Sequence, residues 1–238
     1  MPDSNILVSL FSYNEGDKLK KLINIFPQER FYDLLFVDDG STDGSDKLIE
    51  KNGFELIRHE NNIGIGYGIR EAIEYGRQND YSIIVIMAAN GKMQPSEIVR
   101  LIEPITSDTA DYVQGSRYLP GGQSPNLPLF RRVTIKLFTI IARLLSGFKG
   151  TDVTCGFRAY KLSLFDDKRF DIGQEWLNKY EMEYYIHYHV IKGGYRVVEV
   201  PVSMVYPKER KNYSKIKPFV GWWSMIKPWI YLFLKLRK

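Results

Sequence analysis

The run Ile83-Ile84-Val85-Ile86-Met87 constrains this chain more than any other stretch, because five successive apolar residues cannot alternate between a wet and a dry face. A strand with that pattern is buried on both sides, as strands are in a parallel sheet covered by helices. Similar short runs, β-branched or aromatic, recur at residues 6–11, 34–37 and 54–59. Segments with helical spacing lie between them, at 18–26, 45–51 and 68–79. Strand alternating with helix up to about residue 115 predicts an α/β fold with a mostly parallel central sheet flanked by helices. Ligands in such sheets sit beyond the carboxyl ends of the strands, so residues 12–15, 38–44 and 88–93 are the expected site loops.

Beyond residue 115 the pattern changes. A Gly/Pro-rich loop at 118–128 precedes a long helical stretch at 130–146, and residues 195–200 read as a strand entering Pro201. At about 150 residues per domain, 238 residues suffice for one well-filled unit plus a tail. The expected division is a unit at 1–217, with halves 1–115 and 116–217, and a tail at 218–238. Hydrophobic residues at 44% and charged residues at 26% exclude disordered and fibrous classes. The net charge of +5 modestly favours anionic partners, phosphates or acidic headgroups, without choosing between them. No nucleic acid partner is expected. A lone Cys155 cannot form an internal disulfide and reads as a small buried side chain in a reducing compartment. The first residues show no basic, then apolar, leader, so export is not expected. Lys227 and Pro228 interrupt the best spanning candidate, residues 218–234, so any membrane contact is expected at the surface.

Asp38-Asp39-Gly40-Ser41-Thr42-Asp43-Gly44 follows a buried strand, which puts two carboxylates beside glycines that let the backbone turn tightly. Carboxylates there can accept hydrogen bonds from a base or a ribose. The alternative is structural: an Asx turn, with Ser41 or Asp43 capping the helix from Ser45. Gly64-Ile-Gly66-Tyr-Gly68 is not the glycine turn that follows the first strand of a dinucleotide fold, which disfavours a dehydrogenase.

With Ser-Tyr-Asn-Glu at 12–15, the Asp-Asp loop at 37–44 and Asn62-Ile-Gly64-Ile-Gly66, the chain resembles the family 2 inverting glycosyltransferases. The resemblance implies the glycosyltransferase A-type nucleotide-sugar fold. It also implies that Tyr13, Asn14, Glu15, Asp38 and Asp39, with Asn90, hold the nucleotide, UDP- or GDP-linked. The second half is similar to dolichol-phosphate mannose synthases and their bacterial polyprenyl-phosphate relatives, on 111–118, Gly121-Gly122, Arg131-Arg132, 151–160, 199–202 and 214–216. That similarity implies a polyprenyl phosphate acceptor at the cytoplasmic face of a membrane. A lipid phosphate needs two or three cations, and guanidinium groups bind its oxygens bidentately. Arg117, Arg131 and Arg132 are the candidates, joined by Lys215, and Arg131 and Arg132 open a helix whose unpaired N–H groups favour an anion. A solvated basic helix face is the structural alternative.

One position breaks the pattern. The family carries Asp-x-Asp after the strand ending at Met87, holding Mg²⁺ or Mn²⁺ against the diphosphate, whereas this chain has Ala88-Ala89-Asn90-Gly91-Lys92. A hard cation requires anionic oxygens, and Asn90 supplies a single neutral one. No metal ligand is therefore assigned. Either the reaction is metal-independent, with the Lys92 ammonium supplying the missing charge beside Arg117 and Arg131, or the chain is an impaired homologue that still binds a nucleotide or lipid; a plain surface lysine is the further alternative. Transfer to a carbohydrate acceptor is the competing enzymatic reading. Glu181 and Glu183 lie where the family works near the acceptor, and at least one is expected to be exposed helix charge. His59, His187 and His189 form no metal grouping and are assigned no role. The tail, with three tryptophans and terminal cations, reads as an interfacial segment, the alternative being a helix packed on the core or on a second copy in a homo-oligomer.

Overall fold

The computed structural model describes residues 5–208 and 219–237. Its elements, in chain order, are β1 (Ile6–Ser12), α1 (Gly16–Asn24), β2 (Asp33–Asp38), α2 (Ser45–Lys51), β3 (Glu55–Arg58), α3 (Ile65–Gln78), β4 (Ile83–Ala88), α4 (Ile98–Thr106), β5 (Tyr112–Ser116), α5 (Leu129–Ser146), β6 (Arg158–Lys161), α6 (Glu181–Lys192), β7 (Val197–Pro201) and α7 (Val220–Phe233). The strands form one seven-stranded sheet in the order β3-β2-β1-β4-β6-β5-β7.

The apolar runs do what their continuity requires. In β4, Ile83, Val85 and Met87 enter one core with Leu19 and Leu22 of α1 and Ile98, Leu101 and Ile102 of α4. Ile84 and Ile86 enter the opposite core with Ile69 and Ile73 of α3 and Tyr185 of α6. Burying one such aliphatic side chain contributes about 1.5–3 kcal/mol, so a central strand with five of them has no stable exposed arrangement.

The parallel arrangement holds for all strands except β6, which runs antiparallel to both β4 and β5. That inversion positions the site. The parallel strands deliver their carboxyl ends to one edge, and β6 delivers the residues that precede it to the same edge.

Helix α3 starts at Ile65, earlier than the spacing predicts, because its glycines serve a close approach. A Cβ on Gly66 would lie 1.9 Å from the carbonyl oxygen of Leu177, and one on Gly64 would lie 2.4 Å from that of Asn178. Tyr67 N–H donates to Asn178 O at 3.1 Å, closing the contact.

The tail forms a helix with two different faces. Met225, Trp229 and Leu232 of α7 pack into the core, and the Lys227 ammonium lies 2.5 Å from the Glu181 carboxylate of α6. Contrary to the expectation for Glu181 and Glu183, neither is exposed helix charge: Glu181 is 3% exposed and Glu183 is largely covered against Arg158, whose guanidinium nitrogen is 3.5 Å away. Lys215 lies outside the described residues.

Candidate active site

A cavity of about 580 Å³ opens at the edge where the strand ends converge. It brings together Tyr13, Glu15, Asp39, Asn90, Lys92, Arg117 and Arg131 from the expected set. Asn14, Asp38 and Arg132 are not among the described residues that line it. A more open hollow of about 750 Å³ at the opposite edge, beside Tyr81, Thr106 and Lys161, contains none of them.

One wall is built by the loops after β1 and β2. Asn14 takes a left-handed conformation, φ 49°, which an Asn side chain tolerates. Its N–H donates to Ser41 Oγ at 2.8 Å and its Oδ1 accepts from Thr42 N–H at 2.8 Å. Ser45 Oγ accepts from the N–H groups of Glu15 and Gly16 at 3.2 and 3.0 Å. Asp38, fully buried, accepts from Ser41 N–H at 2.8 Å and Ser41 Oγ–H at 2.6 Å. It makes the turn that the residue types also allowed. Asp43 Oδ1 accepts from Ser45 N–H at 3.0 Å, while Gly44 occupies the helix cap with φ 85°. Asp39 alone of the pair lines the cavity. Its carboxylate is held by Asn62 Nδ2 at 2.8 Å, Ile63 N–H at 2.9 Å, Gly64 N–H at 3.0 Å and His59 Nδ1 at 2.9 Å.

The floor follows β4. Asn90 Oδ1 accepts from Lys92 N–H at 3.2 Å, so it closes its own turn. The Lys92 ammonium stands 5.4 Å from the centre of the Tyr206 ring, and the Lys92 carbonyl accepts from Val205 N–H at 2.8 Å. Among the described residues no group of three His, Cys, Asp or Glu side chains is placed to hold a metal. Ala88, Ala89 and the engaged Asn90 do not fit the hard divalent ion of the resemblance, because they offer it no carboxylate.

The other wall comes from the chain between β5 and β7. Arg117 is 5% exposed and grips Asp152 through two bonds, Nε to Oδ2 at 2.6 Å and Nη2 to Oδ1 at 2.7 Å. The same guanidinium donates to Tyr206 Oη at 2.9 Å and Thr154 Oγ1 at 2.6 Å. Burial alone would lower its pKa, but the Asp152 charge and hydrogen bonds hold it well above the usual value. Most of its donors thus serve the wall itself. Glu199 of β7 fixes the neighbouring loop, accepting from Thr151 N–H at 2.7 Å and Asp152 N–H at 2.9 Å. Arg158, fully buried, ties the loop from below through Cys155 O at 2.9 Å, Val153 O at 3.0 Å and Glu183 O at 3.0 Å. Arg131, in the first turn of α5, supplies a cation at the rim, and Val220, Gly221 and Ser224 bring α7 into the lining.

Several of these residues escaped the sequence reading. Asp152 and Thr154 sit inside the 151–160 stretch, yet nothing local reveals that Arg117 is their partner. Tyr206 and Lys179, which also line the cavity, carry no sequence signal of their own.

The model of the family described as "Glycosyl transferase family 2" matches residues 8–168. The chain is 30% identical over 212 residues to the polyprenol monophosphomannose synthase of Mycolicibacterium smegmatis, covering 85% of this chain and 78% of that one. It is 29% identical over 209 residues to the undecaprenyl-phosphate mannosyltransferase of Micrococcus luteus, covering 84% and 83%. In fold it is similar to glucosyl-3-phosphoglycerate synthase from Mycobacterium tuberculosis solved with Mn²⁺, UDP and phosphoglyceric acid: TM-score 0.67, 15% identity, 98% of this chain and 78% of that one.

Proposed function

The chain belongs to glycosyl transferase family 2 and is a nucleotide-sugar-dependent glycosyltransferase with the A-type fold; on that premise we propose that it moves one sugar from a nucleotide sugar to a polyprenyl phosphate at a membrane surface, with inversion and without a divalent metal. The carrying observation is the cavity itself. Its loops after β1 and β2 face a wall to which α5 adds Arg131 and α7 adds Val220, Gly221 and Ser224, and the outer faces of those two helices carry exposed apolar residues. Along α5 the exposed residues Leu129, Val133, Leu137, Ile140 and Leu144 recur every three or four positions, forming a stripe flanked by Arg132, Lys136 and Arg143. Phe219, Val220 and Trp223 are exposed beside it, and the Phe130 and Trp222 rings join the helices at 5.6 Å. An apolar face rimmed by cations suits an anionic lipid surface, with aromatic rings at headgroup level. No helix among the described residues is long and apolar enough to cross a membrane. We further propose the cytoplasmic face as the surface concerned.

The chemistry asks little of a base. A phosphate monoester is anionic near neutral pH, so its oxygen attacks the anomeric carbon directly. The new bond from phosphate oxygen to anomeric carbon forms as the bond to the diphosphate breaks, and the nucleoside diphosphate leaves with the electron pair. Arg131 meets the acceptor phosphate at the rim, Lys92 offsets the charge growing on the leaving diphosphate, and Glu183 orients a sugar hydroxyl. Tyr13, Glu15 and Asp39 face the nucleotide, while Asn14 and Asp38 act through the loop they shape. Arg117 acts as the post that holds Thr154 and Tyr206. The two relatives whose names specify polyprenol and undecaprenyl phosphate support this acceptor.

The test is transfer from a panel of UDP- and GDP-sugars to a short polyprenyl phosphate, with and without EDTA. Product formation unchanged by EDTA, and lowered about a hundredfold by Lys92→Ala, is expected. Turnover that EDTA abolishes, or that Lys92→Ala leaves intact, refutes the charge replacement. Product only with a saccharide acceptor refutes the lipid acceptor.

A further inference from the structure

His59, to which the sequence assigns nothing, is 6% exposed at the end of β3, between two carboxylates. Its Nδ1 contacts Asp39 Oδ1 at 2.9 Å and its Nε2 makes a short contact with Glu71 of α3. The Tyr67 ring of α3 stands edge-on to it at 5.3 Å and carries Arg70 on its face at 5.4 Å. His59 N–H also donates to Asp38 O at 2.9 Å, which pins the backbone. We propose that His59 is a positioning residue for the nucleotide: as an imidazolium donating at both ring nitrogens, it fixes the Asp39 carboxylate and, through it, the 62–64 loop that walls the cavity.

The count of donors requires the cation. A carboxylate only accepts, and a neutral imidazole offers one N–H and one lone pair. Between Asp39 and Glu71 the neutral ring would set a lone pair against an anionic oxygen, so only the cation satisfies both contacts. The Asp39 hydrogen bond is the strongest influence raising the His59 pKa; burial opposes it, and Glu71 adds to the rise. Asp39 in turn spends its oxygens on Asn62, Ile63 and Gly64. Asn62, Gly64, Ile65 and Gly68 all line the cavity. Gly40, φ 77°, lets this loop lie close, since a Cβ there would come within 2.6 Å of the Asn61 backbone. A proton on His59 therefore sets the shape of a wall that the ring itself does not touch.

This inference rests on the reading that the cavity takes a nucleotide, and the experiment separates the two. GDP and UDP binding is measured by calorimetry from about pH 6 to about pH 9, alongside amide-exchange protection of Ile63 and Gly64 without nucleotide. In the wild type, affinity and protection are expected to fall about tenfold on an alkaline limb above the ordinary His pKa of about 6.5. His59→Gln removes the limb and stays at the weak level throughout. Glu71→Gln moves it to lower pH, because the ring keeps one carboxylate and Gln can donate to a neutral nitrogen. A wild-type limb persisting in His59→Gln, or unmoved in Glu71→Gln, overturns the proposal. If the wild type binds neither nucleotide, the nucleotide reading falls, and exchange still decides: unchanged protection of Ile63 and Gly64 in His59→Gln overturns the role of the ring.

Discussion

The two walls of the cavity are held by different forces. The wall after β1 and β2 is stitched mostly by hydroxyls and backbone N–H groups, with the His59–Asp39 pair as a charged tie at the 62–64 loop: Ser41 joins Asn14 to Asp38, and Ser45 accepts from Glu15 and Gly16. The wall between β5 and β7 is held by buried or nearly buried charge pairs, Arg117 with Asp152 and Arg158 with Glu183, and Glu181 with Lys227 anchors α7 beside it. A hydrogen-bonded loop can lose one partner and relax locally, but a buried ion left alone keeps its full desolvation penalty. At Ser41 and Ser45 the first wall is therefore adjustable, whereas the second is all-or-none. A protein that must admit varied contacts on one side and hold a fixed frame on the other gains from that division.

Three substitutions probe the division, in descending order of expected effect on stability. Arg117→Ala strands the Asp152 carboxylate at zero exposure and is expected to cost about 3–5 kcal/mol in urea unfolding. Arg117→Met paired with Asp152→Leu should recover most of it; a double variant as unstable as the single one would break the ion-pair account. Ser41→Ala leaves Asn14 N–H and one Asp38 oxygen short of a partner and is expected to cost about 1–3 kcal/mol, with nucleotide affinity lowered and fold retained. Equal losses for Ser41→Ala and Arg117→Ala would erase the contrast. Leu144→Glu with Trp223→Glu alters only the outer faces of α5 and α7, so stability should move by less than about 0.5 kcal/mol. Co-flotation with vesicles containing phosphatidylglycerol should nevertheless drop sharply; full flotation would remove those faces as the membrane contact, and a changed oligomeric state instead would reassign them to a second copy.

The pH dependence of stability has a definite sign at His59. Its folded pKa is raised, so its contribution is complete below the unfolded value of about 6.5 and disappears as pH rises through the folded value.

The first wall was legible in the sequence because its parts follow strands directly, so that a strand ending at Asp38 announces its own loop. Yet the two aspartates looked equivalent as a dipeptide, and only the fold separates Asp38, turned inward to Ser41, from Asp39, facing the cavity. The second wall was legible as a stretch, 151–160, but not as a mechanism. Arg117 and Asp152 are 35 residues apart, and an arginine's residue type does not say whether its charge faces inward or toward a ligand. The stripe on α5 had the same limit: helical spacing predicts the helix, and exposure depends on which neighbours cover it.

The inverted strand β6 also governs the order in which the protein can be completed. Among the described residues β5 pairs only with β6 and β7, and both are synthesised after it. A nascent chain that has reached residue 150 can already pair β1 with β2 and β4, whereas β5 has neither neighbour and waits roughly 40 residues before β6 joins it to β4. The wall after β1 and β2 can therefore form while the ribosome is still working. The wall between β5 and β7 closes only when the last fifth of the chain emerges, so the half of the cavity we propose for the donor is assembled before the half we propose for the acceptor.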